Sequence, residues 1–357
     1  MVTSDVVAAL KPPEKQPNVT VPLESDLVFN IVWTGEVFTN LRYFADSLLA
    51  QTTARYRFIA NGCPGSQITM MRDYSAFHRG RIDIIDLEHE VTVAHGVALD
   101  ETRAVRDDGA HFCFIDPDIK AKAPFIPQLT ALLVDHSAVT SGKEVWTDDS
   151  VIPENHAGVA GEYFYDRKGF VFGSPHLAMY DRPALDEIGR RWGVKIGSAG
   201  PELSPEAKAK LASMGHEYLV YDAGKIVNAL LQGDGHRVEH RDLPELVHIG
   251  GLSHFLDPTG YRTNENGERV PDWTVYPNMG ARHMVSRHAA QTLRSLVEGN
   301  PLPELPSGIE PSMEKKLRFV QTEVEDLMVR YGPRSHSTAA AKARPFSRLL
   351  RRVRSPG

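Results

Sequence analysis

The sequence predicts an α/β fold in which helices flank a mostly parallel sheet, with a helical extension at the C-terminal end. Short apolar runs of strand length recur through the first part of the chain. Segments whose apolar residues recur at helical spacing separate these runs. Alternating strands and helices are typical of parallel sheets, which bind ligands at the carboxyl ends of their strands. We therefore expect a functional site at that edge of the sheet.

The predicted elements follow one another in a regular order. The segment LVFNIVWTG (27–35) predicts a buried strand that ends in a glycine turn, and EVFTNLRYFADSLLAQ predicts the helix after it. ARYRFIANGCPGS, RIDIIDLE and AHFCFIDPD predict three further strands, with a polar helix in HGVALDETRAVRDDG that ends at Gly109. Later strand ends are predicted before the helices of GFVFGSPHLAMYDRPALDEIG and VYDAGKIVNALLQ, and in ELVHIGGLSHF.

The composition argues against several classes of protein. At 357 residues the chain can bury a sizeable core without disulfides, and Cys63 and Cys113 are its only thiols. The net charge of -6 provides no overall attraction to nucleic acid. The segment before residue 25 lacks the basic region and apolar core of a signal peptide, and no stretch approaches a membrane span. We expect a soluble cytoplasmic protein with reduced cysteines.

Two carboxylates lie one residue apart directly after the fourth predicted strand. Asp116 and Asp118 flank Pro117. Like charges this close repel one another unless a cation shares the site, and a divalent ion with oxygen ligands is the usual solution. Strand alternation would direct both side chains to the same face. The alternative is a solvated turn, because Asp-Pro-Asp also suits a turn.

Two further motifs follow in an informative order, VYDAG around Asp222 and VHIGGLS after His248. With IDPD, they make residues 26–256 resemble the GT-A-fold glycosyltransferases, in particular the inverting family 2-like enzymes. In that family an acidic-x-acidic motif follows the fourth strand, an acidic residue heads a later helix, and a histidine followed by glycines and a serine lies further on. The resemblance implies a Rossmann-like GT-A fold and a metal-dependent, hexosyltransferase-type reaction of polysaccharide or glycoconjugate biosynthesis.

The resemblance implies a role for each matching residue. Asp116, Asp118 and His248 would hold a divalent cation, Mn²⁺ or Mg²⁺, with His254 as the rival of His248. Asp222 would be the general base that activates an acceptor hydroxyl for inverting attack on a nucleoside-diphosphate-sugar. The implied donor-binding residues are Trp33, Thr34, Gly35, Asn61, Gly62, Gly96, Arg103 and Asp116.

Each assignment has a structural alternative. Asp222 would serve equally as a helix cap, and His248 as a core histidine bonded to a backbone carbonyl. Arg103 has acidic neighbours that would form a solvated ion-pair face. Trp33 would be a core residue, and Asn61-Gly62 a plain turn.

Composition, residue pattern and the resemblance together divide the chain. The expected parts are a flexible lead-in (1–25), a catalytic domain (26–260) with a nucleotide-sugar half (26–120) and an acceptor half (121–260), a helical extension (261–332) and a basic tail (333–357). In the extension, a heptad-like apolar stripe predicts packing on the catalytic domain, with a homodimeric coiled coil as the alternative; its residues are Met313, Leu317, Val320, Val324, Leu327 and Tyr331. The basic amphipathic segment 342–354 predicts either weak contact with the inner face of a membrane or a disordered solubilising tail.

The acceptor is the least specified partner. A carbohydrate, a glycolipid or a small molecule would fit, and no nucleic acid is expected. Residues 142–169 have the composition of a covering loop whose aromatic side chains would stack on sugars or pack the loop down; they are Trp146, Tyr163, Phe164 and Tyr165.

Two other functions stay open. A sugar-phosphate nucleotidyltransferase would carry a basic glycine-rich loop after the first strand, which WTGEVFTN lacks. A non-catalytic carbohydrate-binding or scaffold protein would have lost the carboxylates, and Asp116, Asp118 and Asp222 are all present.

Overall fold

The structure, a computed structural model, describes residues 21–106, 109–156, 158–161, 163–173, 176–256, 261–263, 269–271 and 279–333. The predicted lead-in before residue 21 and the basic segment 342–354 lie outside the described residues. The strands of the described chain are β1 (Val28–Thr34), β2 (Arg55–Asn61), β3 (Ile82–Asp86), β4 (His111–Ile115), β5 (Ile119–Ala121), β6 (Ala138–Ser141), β7 (Val159–Ala160), β8 (Leu177–Asp181), β9 (Val220–Tyr221), β10 (Val238–His240), β11 (Leu246–His248), β12 (Tyr261–Thr263) and β13 (Arg269–Pro271). The helices are α1 (Phe38–Gln51), α2 (Gly65–Phe77), α3 (His95–Val105), α4 (Ile126–Leu133), α5 (Arg182–Trp192), α6 (Pro205–Ser213), α7 (Lys225–Gly233), α8 (Leu252–Leu256), α9 (Met279–Glu298) and α10 (Pro311–Tyr331).

A seven-stranded sheet forms the centre of the molecule, in the order β10-β6-β8-β4-β1-β2-β3. Strand β1 runs parallel to β2 and β4, β3 runs parallel to β2, and β10 runs parallel to β6. The exception is β8, which is antiparallel to both β4 and β6. The predicted mostly parallel sheet flanked by helices is therefore confirmed.

The reversed direction of β8 matters for the site. Because β8 is antiparallel to β4, its first residue, Leu177, pairs with the last residue of β4, Ile115. The residue before β8, His176, therefore lies beside the residue after β4, Asp116. Their backbones are joined by a hydrogen bond of 2.6 Å from the Asp116 nitrogen to the His176 oxygen.

Helices cover both faces of this sheet with separate hydrophobic cores. On one face, side chains of β1 such as Phe29 and Ile31 pack with residues of α1, α9 and α10. On the other face, Val32 and Phe114 pack with residues of α3, α5 and α7. Alternation along β1 explains the division, because successive side chains of a strand point to opposite faces.

The C-terminal helices are part of the first of these cores. Four residues of the predicted stripe on α10 are fully buried there, and Met313 and Tyr331 pack at its margin; the four are Leu317, Val320, Val324 and Leu327. The stripe therefore packs into the core beside β1 and α1 rather than lying exposed. No helix in the described part of the chain combines the length and the apolar character needed to cross a membrane.

A buried ion-pair group anchors α10 to the strand after the Asp-Pro-Asp turn. Lys120, in β5, is 2% exposed. Its Nζ donates hydrogen bonds to the Glu323 carboxylate at 2.7 Å, to the Asp326 carboxylate at 2.7 Å and to the Glu323 backbone oxygen at 2.8 Å. We call Lys120, Glu323 and Asp326 the Lys120 cluster. It ties the C-terminal extension to the chain two residues beyond Asp118.

Candidate functional site

A cleft of about 330 Å³ opens where β1 and β4 end. Four residues that the sequence predicted for the site line it, namely Thr34, Asp116, Asp118 and Asp222, together with the predicted rival ligand His254. Four residues that were not assigned a role also line it, His95, Glu144, His176 and Arg282, as does Trp146 of the predicted covering loop. The site lies at the edge of the sheet that the strand pattern indicated.

Asp116 is the centre of a histidine-rich group. Its Oδ2 lies 2.9 Å from Nδ1 of His176 and 3.7 Å from Nε2 of His248, and its Oδ1 lies 3.6 Å from Nε2 of His95. We call these four residues the Asp116 cluster. Asp116 belongs to the turn between β4 and β5 rather than to a strand.

His248 reaches this group through the pairing of two short strands. Strand β11 is antiparallel to β5, so that His248 pairs with Ile119, directly after the Asp-Pro-Asp turn. The His248 side chain is buried, and its Nδ1 donates a 2.6 Å hydrogen bond to the backbone oxygen of Gly142. In the neutral ring Nε2 would then carry a lone pair, and this atom faces Asp118 Oδ1 at 3.2 Å as well as Asp116.

His176 is oriented in a comparable way. Its Nε2 contacts Oε1 of Glu144, so the carboxylate fixes one ring nitrogen and leaves Nδ1 facing Asp116. Burial, the largest single influence, lowers the pKa of His176, but the Glu144 charge and the hydrogen bonds to Asp116 and Glu144 outweigh it and raise this pKa to about 10. Carboxylates of Asp116 and Glu144 therefore contact the two nitrogens of this ring.

Three ligand-type atoms converge here. One carboxylate oxygen of Asp116 and one ring nitrogen each of His176 and His248 lie within 4.8 Å of one another. Each ring has its outer nitrogen held by an acceptor, the arrangement that usually orients metal-binding histidines. These residues fit a divalent transition-type cation, because such ions accept imidazole and carboxylate ligands together.

Asp118, the other carboxylate of the Asp-Pro-Asp turn, is held by two neighbouring groups. Its side chain is buried, Oδ2 accepts the Leu252 N–H at 3.0 Å and Oδ1 faces His248. Burial would raise the pKa of Asp118, but His248 and the Leu252 N–H together hold this pKa below its usual value. The three-atom group therefore differs from the predicted trio by containing His176 where Asp118 was expected. His254 lines the cleft but is not a member of this group.

Glu144 is buried beside the cluster. Burial, the largest single influence, raises the pKa of Glu144. The contacts with His176, the charge of His248 and a backbone hydrogen bond outweigh burial and lower this pKa to about 2. Its Oε2 accepts a hydrogen bond from the Thr147 hydroxyl at 3.2 Å. Glu144 therefore carries a negative charge with both of its oxygens in contact with other side chains.

Asp222 lies between β9 and α7 and is half-buried at the cleft. Its Oδ1 accepts the N–H of Ala223 at 2.8 Å. The N-cap of α7 is Gly224, and no side chain caps this helix. Asp222 is therefore not the helix cap that its sequence position offered as an alternative.

The donor-site candidates after β1 separate into two kinds. Thr34 lines the cleft, whereas Trp33 is 0% exposed and packs edge-on against Phe38 and Phe58. Gly35 is buried and has a φ of 46°, so it makes the turn that ends β1. Trp33 thus has the core position that the alternative interpretation described.

Asn61 and Gly62 hold a neighbouring loop. The Asn61 side chain donates to the Val93 oxygen at 2.9 Å and accepts from the Val93 nitrogen at 3.0 Å. Gly62 has a φ of 65°, and a Cβ there would lie 2.5 Å from the Thr92 nitrogen. These two residues therefore position residues 92–94, which line the cleft.

Gly96 and Arg103 lie on α3 outside the cleft lining. Gly96 is buried against Gly197, where a Cβ would approach the Gly197 Cα to 2.5 Å. Arg103 forms an ion pair with Asp186 on α5. The structure therefore places both residues in helix packing, and Arg103 pairs with Asp186 on α5 rather than with the acidic residues near it in the sequence.

Arg282 supplies a positive charge to the cleft in place of Arg103. It lies near the start of α9, and its guanidinium carbon lies 5.6 Å from the ring centre of Trp146. Among the described residues that line the cleft, it is the one arginine or lysine. Glycines permit its approach, because a Cβ at Gly251 would lie 2.9 Å from Arg282 Nε.

The predicted covering loop packs onto the domain. Phe164 is buried and stacks on His240 with ring centres 4.6 Å apart, and Tyr165 donates a 3.0 Å hydrogen bond to the His240 oxygen. Tyr163 is also buried, whereas Trp146 lines the cleft. Of the four aromatic residues singled out in this segment, Trp146 is thus the one at the site.

Comparison with known proteins gives structural neighbours only. No protein-family model matches the sequence, and no curated protein matches it. Similar solved structures include a galactosyltransferase, LgtC, in complex with donor and acceptor sugar analogues, at 12% identity and a TM-score of 0.42, covering 72% of this chain and 96% of that one. They include the mannosyltransferase PcManGT of Pyrobaculum calidifontis in complex with GDP-Man and Mn²⁺, at 12% identity and a TM-score of 0.37, covering 91% and 81%. They also include S. aureus TarS, at 12% identity and a TM-score of 0.38, covering 64% and 38%.

Proposed function

We propose that this protein transfers a sugar from a nucleoside-diphosphate-sugar to an acceptor hydroxyl, with a divalent cation bound at the Asp116 cluster. The observation that carries the proposal is the convergence of Asp116, His176 and His248 in a cleft that Asp222 also lines. The order of the IDPD, VYDAG and VHIGGLS motifs supports the same function. The nucleotidyltransferase alternative gains no support, because β1 is followed by Gly35 and Glu36 rather than by a basic loop.

The leaving group determines what the cleft must provide. Breaking the bond between sugar and diphosphate adds negative charge to the phosphate oxygens. A bound divalent cation stabilises such charge, and Asp116, His176 and His248 are the residues that would hold it. Arg282 would bind the diphosphate as a second cation, because its guanidinium matches phosphate oxygens well.

The nucleoside would lie toward the edge formed by Thr34 and the loop of residues 92–94. This loop is held in place by Asn61, whose amide bonds both backbone groups of Val93. Helix α3 begins at His95, directly after the loop, so the N–H groups of its first turn lie near the same edge. This arrangement provides polar contacts for a ribose and a phosphate without a basic loop.

Asp222 would take the proton from the acceptor hydroxyl. It is a half-buried carboxylate in the cleft, and the Ala223 N–H holds one of its oxygens. Attack on the sugar from the side opposite the diphosphate would invert the anomeric carbon. General-base assistance of this kind typically contributes roughly 10²–10⁴-fold in rate.

The experiment that tests this function combines ligand binding with one substitution. Thermal unfolding is followed with UDP, GDP, CDP and dTDP and their sugars, with and without Mn²⁺. We expect one diphosphate to stabilise the protein in the presence of metal, since a ligand of the native state raises apparent stability. Asp222→Asn should keep this shift and lose roughly 10²–10⁴-fold in turnover of the matching nucleotide sugar.

Asp186→Asn, on the surface of α5, is the matched carboxylate control and should keep turnover. If no nucleotide shifts the transition under any metal condition, the proposed function is wrong. Full turnover by the Asp222 variant would remove the general-base assignment alone.

A further inference from the structure

Glu144 is a buried carboxylate that the proposed reaction does not use directly. Its side chain is 3% exposed, Oε1 contacts Nε2 of His176, and Oε2 accepts the Thr147 hydroxyl at 3.2 Å. An ionised carboxylate is costly to bury unless its contacts repay that cost. The buried charge of Glu144 therefore has a specific partner, which is the His176 ring that faces Asp116.

We propose that Glu144 is a positioning residue that fixes His176 as an imidazole ligand, and that this makes the site bind Mn²⁺ in preference to Mg²⁺. The inference rests on the metal site of the proposed function and names the cation class that this site takes. Through its ion-pair contact with Nε2, Glu144 keeps the other nitrogen, Nδ1, directed at Asp116. Carboxylate-bound histidines of this kind are oriented and made more basic toward a metal.

One segment of chain fixes both histidines. The Val145 nitrogen donates to the His248 oxygen at 3.0 Å, and Glu144 forms a β-bridge with His248. Within the same segment, the Gly142 oxygen accepts from Nδ1 of His248 at 2.6 Å. Residues 142–147 therefore provide a backbone acceptor for one ring and a carboxylate acceptor for the other.

Gly250 makes this approach possible. It has a φ of 79°, and a Cβ at this position would lie 2.7 Å from Cγ of Glu144. A side chain at residue 250 would therefore displace Glu144 from His176. Packing against Glu144 therefore explains the glycine at position 250 without reference to any nucleotide.

The cation preference follows from the atoms that converge. Two imidazole nitrogens and one carboxylate oxygen form the group. Mg²⁺ strongly prefers oxygen ligands and retains bound waters, whereas transition-type cations accept imidazole nitrogen. Without an oriented His176 the group would lose one of its two nitrogen ligands, and its preference for Mn²⁺ would fall.

The test measures metal affinity directly, with MnCl₂ and MgCl₂ titrated into the purified full-length protein without nucleotide. Free Mn²⁺ is followed by electron paramagnetic resonance, and Mg²⁺ by its competition with Mn²⁺. Glu144→Gln, which keeps the side-chain volume, should weaken Mn²⁺ binding roughly 10–100-fold. Thr147→Val removes only the hydroxyl that holds Oε2 and should weaken binding by a smaller factor. Thr147→Val provides the test if the Glu144 variant does not fold.

Asp166→Asn is the matched control. Asp166 accepts a 3.2 Å hydrogen bond from the buried His216 and does not line the cleft, so Mn²⁺ affinity should not change. Unchanged Mn²⁺ affinity in Glu144→Gln and Thr147→Val, or a wild type that binds Mg²⁺ as tightly as Mn²⁺, would overturn the inference. Glu144-dependent Mn²⁺ binding without any nucleotide binding would leave it standing and remove the proposed function instead.

Discussion

The five-residue stretch 116–120 contributes a residue to each of two clusters of charged side chains, the Lys120 cluster and the Asp116 cluster. The two clusters differ in how their polar atoms are paired. In the Lys120 cluster, one ammonium meets three oxygen acceptors, two from carboxylates and one from the backbone. A lysine has three N–H donors, so this cluster is complete without any ligand. In the Asp116 cluster, ring nitrogens of three histidines face one carboxylate, and two of these rings are already held from outside.

The difference shows how a binding group can be told from a structural one. Both clusters contain buried charge, so burial alone does not distinguish them. The Lys120 ammonium already has three acceptors, so the Lys120 cluster stabilises the fold. In the Asp116 cluster, one carboxylate oxygen and two ring nitrogens converge, which is the arrangement of a cation-binding site. Substitutions in the two clusters should therefore have opposite consequences for stability and for metal binding.

The largest effect is expected from Asp116→Asn. It removes the shared oxygen of the Asp116 cluster, so Mn²⁺ affinity should fall by at least about 1,000-fold, more than the 10–100-fold typical of an outer residue. Unfolding in urea should change little, because the neighbouring charges of Asp118 and Glu144 remain. Mn²⁺ titration and urea denaturation measure the two quantities. Retained Mn²⁺ binding would show that the cluster is not the metal site.

Lys120→Met should produce the reverse pattern. It leaves the Glu323 carboxylate partly buried without its ammonium, and the free energy of unfolding should fall by about 3 kcal/mol, toward the low end of the range for broken buried pairs because Asp326 is partly exposed. Mn²⁺ affinity of the folded protein should be kept. Unchanged stability in urea would contradict the structural role of the Lys120 cluster.

Arg103→Ala should have the smallest effect. Arg103 pairs with a partly exposed carboxylate of Asp186, so the free energy of unfolding should change by less than about 1 kcal/mol. The affinity for the nucleoside diphosphate identified by thermal shift should be unchanged, whereas Arg282→Ala should weaken it. Isothermal titration of both variants makes the comparison. Weaker binding by the Arg103 variant alone would restore the assignment made from the sequence.

Part of the site could be predicted from the sequence because it depends on local signals. Asp116 follows an apolar run of strand length, and Asp222 precedes a segment with helical spacing. Both positions therefore lie at ends of elements whatever the strand order. His248 was found in the same way, since it ends the short strand β11.

Other members of the site carried no comparable signal. His176 precedes a strand, and it belongs to the site because β8 runs antiparallel and starts where β4 ends. Glu144 depends on the bridge between its segment and His248. Arg282 belongs to α9, and its side chain lies beside Gly251. For Trp33 and Arg103, the direction of the side chain rather than its position in the sequence decided the outcome.

The sequence by itself determined the alternation of strands and helices, the apolar stripe of α10 and the placement of Asp116 and Asp222 at element ends, because hydrophobic periodicity and turn chemistry act over a few residues. The tertiary structure alone decided the direction of β8, the depth of Asp118 and Glu144, and the choice of Arg282 over Arg103 at the cleft. These features depend on contacts between residues far apart in the chain. Such contacts follow from how whole elements pack, which no short stretch of sequence records.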